Sequence, residues 1–464
     1  MTEIKHLLGA SAPAEAPRHR GPESPKPAAV PQASASSQAK AGSTASAPQD
    51  RKSHDVAKKA GALAILSAMG PGLLTAFAGN DAGGIATYST TGASYGFGML
   101  WTVPLMCILL IVVQETAARM GCATGKGFAS LIREQFGVRI SALAMVALII
   151  SNFAVTLSEF AGIASGMQLF GVPILASVPV AALACWMLTM SGSYRRIEKI
   201  LLALSAVFLT YIVSGVLAKP DWGAALTATV IPQISSDPAY VSLLVANIGT
   251  TISPYMIFMV SSNVVEKNLD ATDIPAQRAD NVSGAVAAEL VTWFIIMTTG
   301  AVLYPAGIKV DTAAAAAQAL VPLAGEYASA LFAVGLVGAS FLAACVLPGI
   351  TASAVCEAFG WERGSDRTWH EAPVYRGIIT VITILSAAIC CIPDVDLFGI
   401  MMVAQVINGV ILPILLVCMV LIASNRYVMG KHANSKLWNI LTWFIVIVVT
   451  ILTVIMFVLQ LMGY

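Results

Sequence analysis

The feature that most limits this chain is a succession of apolar runs, each long enough to cross roughly 30 Å of hydrocarbon. From about residue 60 onward, eleven follow one another: 61–92, 97–119, 139–169, 173–192, 197–218, 239–265, 283–305, 326–356, 374–392, 396–424 and 437–461. Backbone in lipid must satisfy its own hydrogen bonds, so runs of this kind are helices. Composition agrees. Asp, Glu, Lys and Arg make up 11% of the 464 residues, against about 25% in soluble domains, too few to cover a water-facing surface. The expected fold class is an all-α polytopic membrane protein of about eleven spans. Two shorter amphipathic stretches, 126–137 and 273–282, are expected along the membrane surface.

Residues 1–58 read differently. They are rich in Ala, Pro and Ser with few large apolar side chains, so they cannot bury enough surface to offset the entropy of ordering. A disordered cytoplasmic tail is expected there, followed by a transmembrane domain over 59–464. The eight cysteines form no CxxC pair and lie mostly within apolar runs, where they read as small core residues.

Charge positions orient the spans. With the N-terminus in the cytoplasm, Lys and Arg fall on inward-facing segments, among them Arg119, Lys126, Arg195, Arg278, Arg363 and Arg426; the outward loops hold only Lys219 and Lys309. That satisfies the positive-inside rule and leaves no basic residue within a span. A net charge of +1 supplies no field for nucleic acid, and no nucleic-acid partner is expected. Glu115 and Glu289 are expected near cytoplasmic helix ends, facing water.

Eleven spans divide into two fives and a remainder: repeat one over about 61–218, repeat two over about 239–424, and an extra helix over about 437–461. The first and sixth spans, which open the two halves, are the two with polar breaks. Paired interrupted helices point to an inverted-repeat transporter with its site at the breaks. The first reads GNDAGG over 79–84, a poor helix. The sixth carries Thr250, Thr251, Ser253 and Pro254, and Pro254 removes a backbone donor.

Asp81 is the decisive residue, because a carboxylate at the bilayer centre costs roughly 3 kcal/mol and marks function by default. With no intramembrane Lys or Arg to pair with, its compensation is a bound cation, a proton, or water and backbone N–H groups. Freed carbonyls such as that of Ala78, with the hydroxyls of span six, make an all-oxygen set suited to Mg²⁺, Ca²⁺ or Mn²⁺. Mg²⁺ keeps several waters beside one or two carboxylates, which fits a site this sparse. Glu159, the second deep acid, could carry a proton, line a pore or bond a neighbouring helix. Gln405 and Asn408 stand at i and i+3 on one face of span ten, either bonding a neighbouring helix or closing over an ion.

The pattern GPG…D-x-G…IAT…GA-x-YG…LW, with ARMGCATGK after span two, SEFAG in span three and AQV…LP in span ten, resembles the Nramp family of divalent-metal transporters over about residues 60–460. The resemblance implies the five-plus-five, LeuT-like bundle with helices 1 and 6 broken. The chain departs from the family at two motifs. Asp-Pro-Gly-Asn is here Asp81-Ala82-Gly83-Gly84, and Met-Pro-His is here Ser253-Pro254-Tyr255. That combination is similar to the Nramp-related magnesium transporters, a prokaryotic branch without the sulfur ligand. The resemblance implies metal ligands at Asp81, the carbonyls of Ala78 and Thr250, Ser253 in place of the sulfur, and Gln405 as a gate ligand. It links Glu159, Asn80 and Tyr255 to proton movement or to support of the ligands.

The expected function is uptake of Mg²⁺, with Mn²⁺ as a further substrate, across a bacterial cytoplasmic membrane by alternating access without proton coupling. A proton-coupled Mn²⁺/Fe²⁺ carrier is the nearest alternative, and a sodium-coupled amino-acid or amine transporter of the same fold another. No cofactor, obligate protein partner or enzymatic motif is expected; the partners are the metal ion and the bilayer.

Overall fold

The structure is a computed structural model and describes residues 81–191, 206–364 and 366–462. The tail, the first half of run 61–92 with Ala78 and Asn80, and the opening of run 197–218 lie outside the described residues.

Among the described residues nine helical segments are long and apolar enough to cross a bilayer, and each overlaps one of the eleven expected runs. The helices are α1 (Ala82–Tyr95), α2 (Thr102–Thr124), α3 (Phe128–Leu169), α4 (Ile174–Ser191), α5 (Thr210–Leu217), α6 (Trp222–Val230), α7 (Pro238–Thr251), α8 (Pro254–Glu266), α9 (Ile274–Val302), α10 (Ala328–Phe359), α11 (Pro373–Cys390), α12 (Leu397–Ser424) and α13 (Lys436–Leu461). The chain is an all-α bundle. Its core is built where α3 packs along α10 and α12, α9 lies against α1 and α2, and α7 crosses α12.

The last helix illustrates how sequence spacing sets burial. Leu437, Ile440, Phe444, Ile447, Ile451, Val454 and Val458 recur every three or four residues on α13, and all are exposed. Ile445, Val446, Val449 and Met456, on the other side, are buried. An apolar stripe of that width facing outward is what lipid covers. The cysteines are all unpaired, and only Cys107 and Cys391 are more than marginally exposed.

Two expectations change. The amphipathic stretch 126–137 does form its own helical piece at the start of α3: Gly137, at φ 76° and ψ −175°, breaks the helix there in a conformation open to glycine, and the long apolar piece follows. The stretch 273–282 is not separate but is the opening of α9, whose first turn accepts Pro275 because its N–H would be unpaired there anyway. The second change concerns the acids. Glu115 is 2% exposed and does not face water. Arg119 Nε lies 3.2 Å from its Oε1, and Arg278 Nη2 reaches the same oxygen from α9 at 2.5 Å. Arg119 also donates to the carbonyl of His432 at 2.6 Å and to Asn434 at 2.7 Å. Two guanidiniums offset the desolvation of one carboxylate, and together they tie α2, α9 and the chain before α13 into one end of the bundle. Glu289 is also buried, at 4% exposure, and none of the four ion pairs among the described residues includes it.

Candidate metal-binding site at two helix breaks

The described part of span one begins where a helix begins. Asp81 caps α1: its backbone is extended (φ −72°, ψ 175°), and its Oδ1 accepts from Gly84 N at 2.6 Å. Asp is among the strongest N-caps because its oxygen satisfies an orphan N–H. The helix N-terminus also carries partial positive charge that favours a carboxylate. Gly83 and Gly84, expected within the break, belong to the first turn instead. The cap and the packing above outweigh their weak helix propensity.

Glu159 reaches the same turn from α3. Its Oε2 accepts from Ala82 N at 3.3 Å, and the residue is fully buried. The approach depends on Gly162, one turn further along α3. A Cβ there would overlap the methyl of Ala82 and the hydroxyl of Ser340. Two carboxylates thus bond two N–H groups of one helical turn, while Glu159 Oε1 has no partner among the described residues. None of the four ion pairs among the described residues includes Asp81 or Glu159.

The second break separates α7 from α8. Ile252 (φ −116°, ψ 66°) and Ser253 (φ −65°, ψ 136°) leave the helix, and Pro254 restarts it at its first position. Proline there costs nothing, since the missing N–H has no helical acceptor. Ser253 Oγ lies 3.2 Å from the carbonyls of both Gly249 and Thr250. Thr250 Oγ1 stands beside the Asp81 carboxylate, since both oxygens lie 3.1 Å from where a Gly84 Cβ would be. That hydroxyl is buried with no hydrogen-bond partner among the described residues.

A third strand of the site comes from α12. Gly249 lets α7 cross α12 backbone to backbone: a Cβ there would strike the carbonyl of Gln405 and the N–H of Gly409. The crossing carries Gln405 and Asn408 onto the break. Asn408 Nδ2 donates to Gln405 Oε1 at 3.1 Å and lies 3.4 Å from Ser253 Oγ, while Ser151 Oγ donates to Asn408 Oδ1 at 2.5 Å. Gln405 lies directly over Gly83, whose missing side chain makes the room, and its Nε2 has no partner. Exchanging oxygen and nitrogen in both amides preserves their mutual hydrogen bond and turns a carbonyl oxygen toward that space.

Asp81, Thr250, Ser253, Gln405 and Glu159 therefore come together, and three of them present a buried polar atom with no partner among the described residues. Tyr255 lies in the first turn of α8, directly after Pro254, and is buried. Ala78 and Asn80 lie outside the described residues. Ser151 and Ser340 were not singled out from sequence, since one serine in an apolar run looks like another. Among the described residues no three His, Cys, Asp or Glu side chains gather. The donors on hand are oxygens, few of them charged, which suits a hard cation that keeps water in its shell.

Comparison with known proteins agrees with this architecture. The family model described as natural resistance-associated macrophage protein-like, Nramp, matches residues 72–459. The divalent metal cation transporter MntH of Deinococcus radiodurans is 28% identical over 400 residues, covering 83% of this chain and 88% of that protein. The manganese transporter of Eremococcus coleocola, in a crystal structure with an aromatic bis-isothiourea compound, superposes with a TM-score of 0.71 at 21% identity, covering 85% of this chain and 88% of that one. MhsT in complex with L-phenylalanine superposes with a TM-score of 0.56 at 15% identity, covering 85% and 98%; both likenesses speak to the fold. By the extent of the family match, this chain belongs to the Nramp family.

Proposed function

We propose that this protein is a divalent-metal transporter that takes up Mg²⁺, and also Mn²⁺, by alternating access across a bacterial cytoplasmic membrane, with its N-terminus inside. One observation carries the reading: the Asp81 carboxylate is 2% exposed at the start of a broken helix, and no cationic side chain among the described residues is paired to it. A dication with part of its hydration shell supplies the missing charge. Asp81 is its carboxylate ligand, Thr250 and Ser253 bring oxygens from the second break, and Gln405 closes from α12. The carbonyl of Ala78 completes the proposed set from the segment before Asp81.

Family membership and relatives named as divalent metal cation transporters support the coarse reading. Those relatives' names speak of manganese or divalent metals, so the case for magnesium rests on this chain's own residues. A hydroxyl at Ser253 replaces the thioether expected from the family resemblance. Soft sulfur favours later transition metals, whereas hydroxyl and carbonyl oxygens favour Mg²⁺ and Mn²⁺.

The membrane potential is a sufficient drive. Two charges crossing about 100 mV gain roughly 4.6 kcal/mol, a gradient on the order of a thousandfold. No proton is then required, and Tyr255 stands where the resemblance would have a proton-linked histidine. The competing reading, a proton-coupled Mn²⁺ carrier, draws on Glu159, whose free Oε1 could hold a proton. Proteoliposomes loaded with both a magnesium-sensitive and a pH-sensitive dye separate the two. Uptake of Mg²⁺ with a silent pH dye supports the proposal; Mn²⁺-only uptake with acidification refutes it in favour of the rival.

A further inference from the structure

The amphipathic opening of α3 carries no cap of its own. Its N-cap is Gly127, which has no side-chain oxygen to offer the orphan N–H groups of the first turn. Two other helices supply the acceptors. Phe128 N donates to Ser261 Oγ of α8 at 3.0 Å, and Ser130 N donates to Glu357 Oε1 of α10 at 3.1 Å. The approach depends on Gly127, where a Cβ would overlap the Glu357 carboxyl group.

The borrowed cap is also a junction. Ser262 Oγ donates to Glu357 Oε2 at 3.4 Å. Arg363 Nη1 pairs with the same oxygen at 2.5 Å, which compensates a carboxylate only 5% exposed. The buried Phe128 and Phe258 rings pack with centroids 5.0 Å apart. Ser261 is fully buried, and its hydroxyl is used twice, since it also donates to the Phe258 carbonyl at 3.0 Å.

α8 is held differently on its other side. A Cβ on Gly121 of α2 would strike the Ser261 carbonyl and Val264, so α8 lies backbone-close on α2. α3 packs along α10. The two pairs of helices therefore meet at this junction through two hydroxyls, one carboxylate and two rings. Hydrogen bonds of this kind are worth little net once water can replace them, so they can hold one state of a two-state element without locking it. The junction is also tied to the site. α8 is capped by Ser253 at the second break, and Ser261 stands eight residues on, roughly 12 Å along the same helix. Displacing α8 at the junction displaces Ser253 with it.

We propose that Ser261, Ser262 and Glu357 are positioning residues of a latch that holds α8 against α3 and α10, and that its release opens the metal site to this end of the bundle, which the proposed orientation puts in the cytoplasm. The inference rests on the alternating-access reading.

The test uses the full-length protein in proteoliposomes. In one variant Ser262→Cys and Glu357→Cys are combined and bridged by a short reversible bis-thiosulfonate, with mass spectrometry confirming the link. Bridging should cut Mg²⁺ uptake at least tenfold, a reductant should restore it, and calorimetric Mg²⁺ affinity should stay within about twofold of the unbridged protein. In Ser261→Ala, α8 leaves more readily and fewer molecules face outward. The KM for external Mg²⁺ should then rise about threefold or more while the saturating rate holds, since apparent affinity falls with the competent fraction. Ser261→Thr, which keeps the hydroxyl, should match the parent. Undiminished uptake by fully bridged protein, or a Ser261→Ala protein with unchanged KM, would overturn the latch; if the pair does not bridge, Ser261→Ala decides. A parent that takes up neither Mg²⁺ nor Mn²⁺ would refute the transport reading itself, whereas the latch fails alone when the parent transports and these variants behave like it.

Discussion

Two glycines at the site test how Gln405 works, because adding one methyl at each has opposite consequences. A Cβ on Gly83 would overlap Gln405 Nε2, the far end of a flexible side chain. A Cβ on Gly249 would overlap backbone, the Gln405 carbonyl and the Gly409 N–H. In Gly83→Ala the amide swings away and its hydrogen bond with Asn408, 3.1 Å long, breaks. That costs about 1 kcal/mol, offset by about 1 kcal/mol of helix propensity gained in replacing glycine by alanine. Stability should barely change. The ion, however, loses a polar contact to a charged species, worth about 1.5–3 kcal/mol, so the KM for Mg²⁺ should rise about ten- to a hundredfold. In Gly249→Ala neither backbone can yield without separating α7 from α12, and overpacking of this kind costs about 1–3 kcal/mol. Melting curves of the purified variants and initial rates in proteoliposomes measure both quantities. A Gly83→Ala protein with unchanged KM would refute the role given to Gln405. Equal loss of stability in both variants would refute the claim that only one of these contacts is backbone.

Further outcomes follow from the same geometry. Ser253→Met should shift competition between the two ions toward Mn²⁺ by about tenfold, since sulfur favours the softer ion; an unchanged ratio in a mixed-metal uptake assay would mean that residue 253 does not touch the ion. Glu115→Ala strands Arg119, which is 7% exposed, and should cost about 3 kcal/mol of stability, the half-exposed Arg278 adding only about 0.5 kcal/mol; a shift of the thermal midpoint no larger than that of a surface variant would contradict this. Glu159→Gln keeps an oxygen for Ala82 N but cannot release a proton. It should transport Mg²⁺ at a rate within about twofold of the parent, whereas abolition of uptake in a folded protein would support the proton-coupled reading.

How much of this molecule its sequence discloses depends on whether a feature is local. Helix positions follow from run length alone, and the end of α7 follows from Pro254, because both are constraints within one segment. Asp81 declares itself because a carboxylate in an apolar run has few innocent explanations. Gly83 and Gly84 mislead: propensity argues for unwinding, yet a cap three residues back and the Gln405 side chain above hold them helical. What stays hidden is pairing across distance. Glu115 looks water-facing until Arg278, 163 residues away, arrives beside it. Glu289 looks terminal until α9 proves to start at Ile274, which moves the residue to mid-helix. Ser151 gains meaning only when α12 brings Asn408 against it.

Calorimetric titration of Mg²⁺ into the purified protein, beside its Asp81→Asn variant, tests the central claim most directly. Removing the charge while keeping the shape isolates the carboxylate's contribution. The parent should bind one ion, and the variant should bind at least tenfold more weakly while melting within a few degrees of the parent. Equal affinity in the two proteins would show that the ion is held elsewhere.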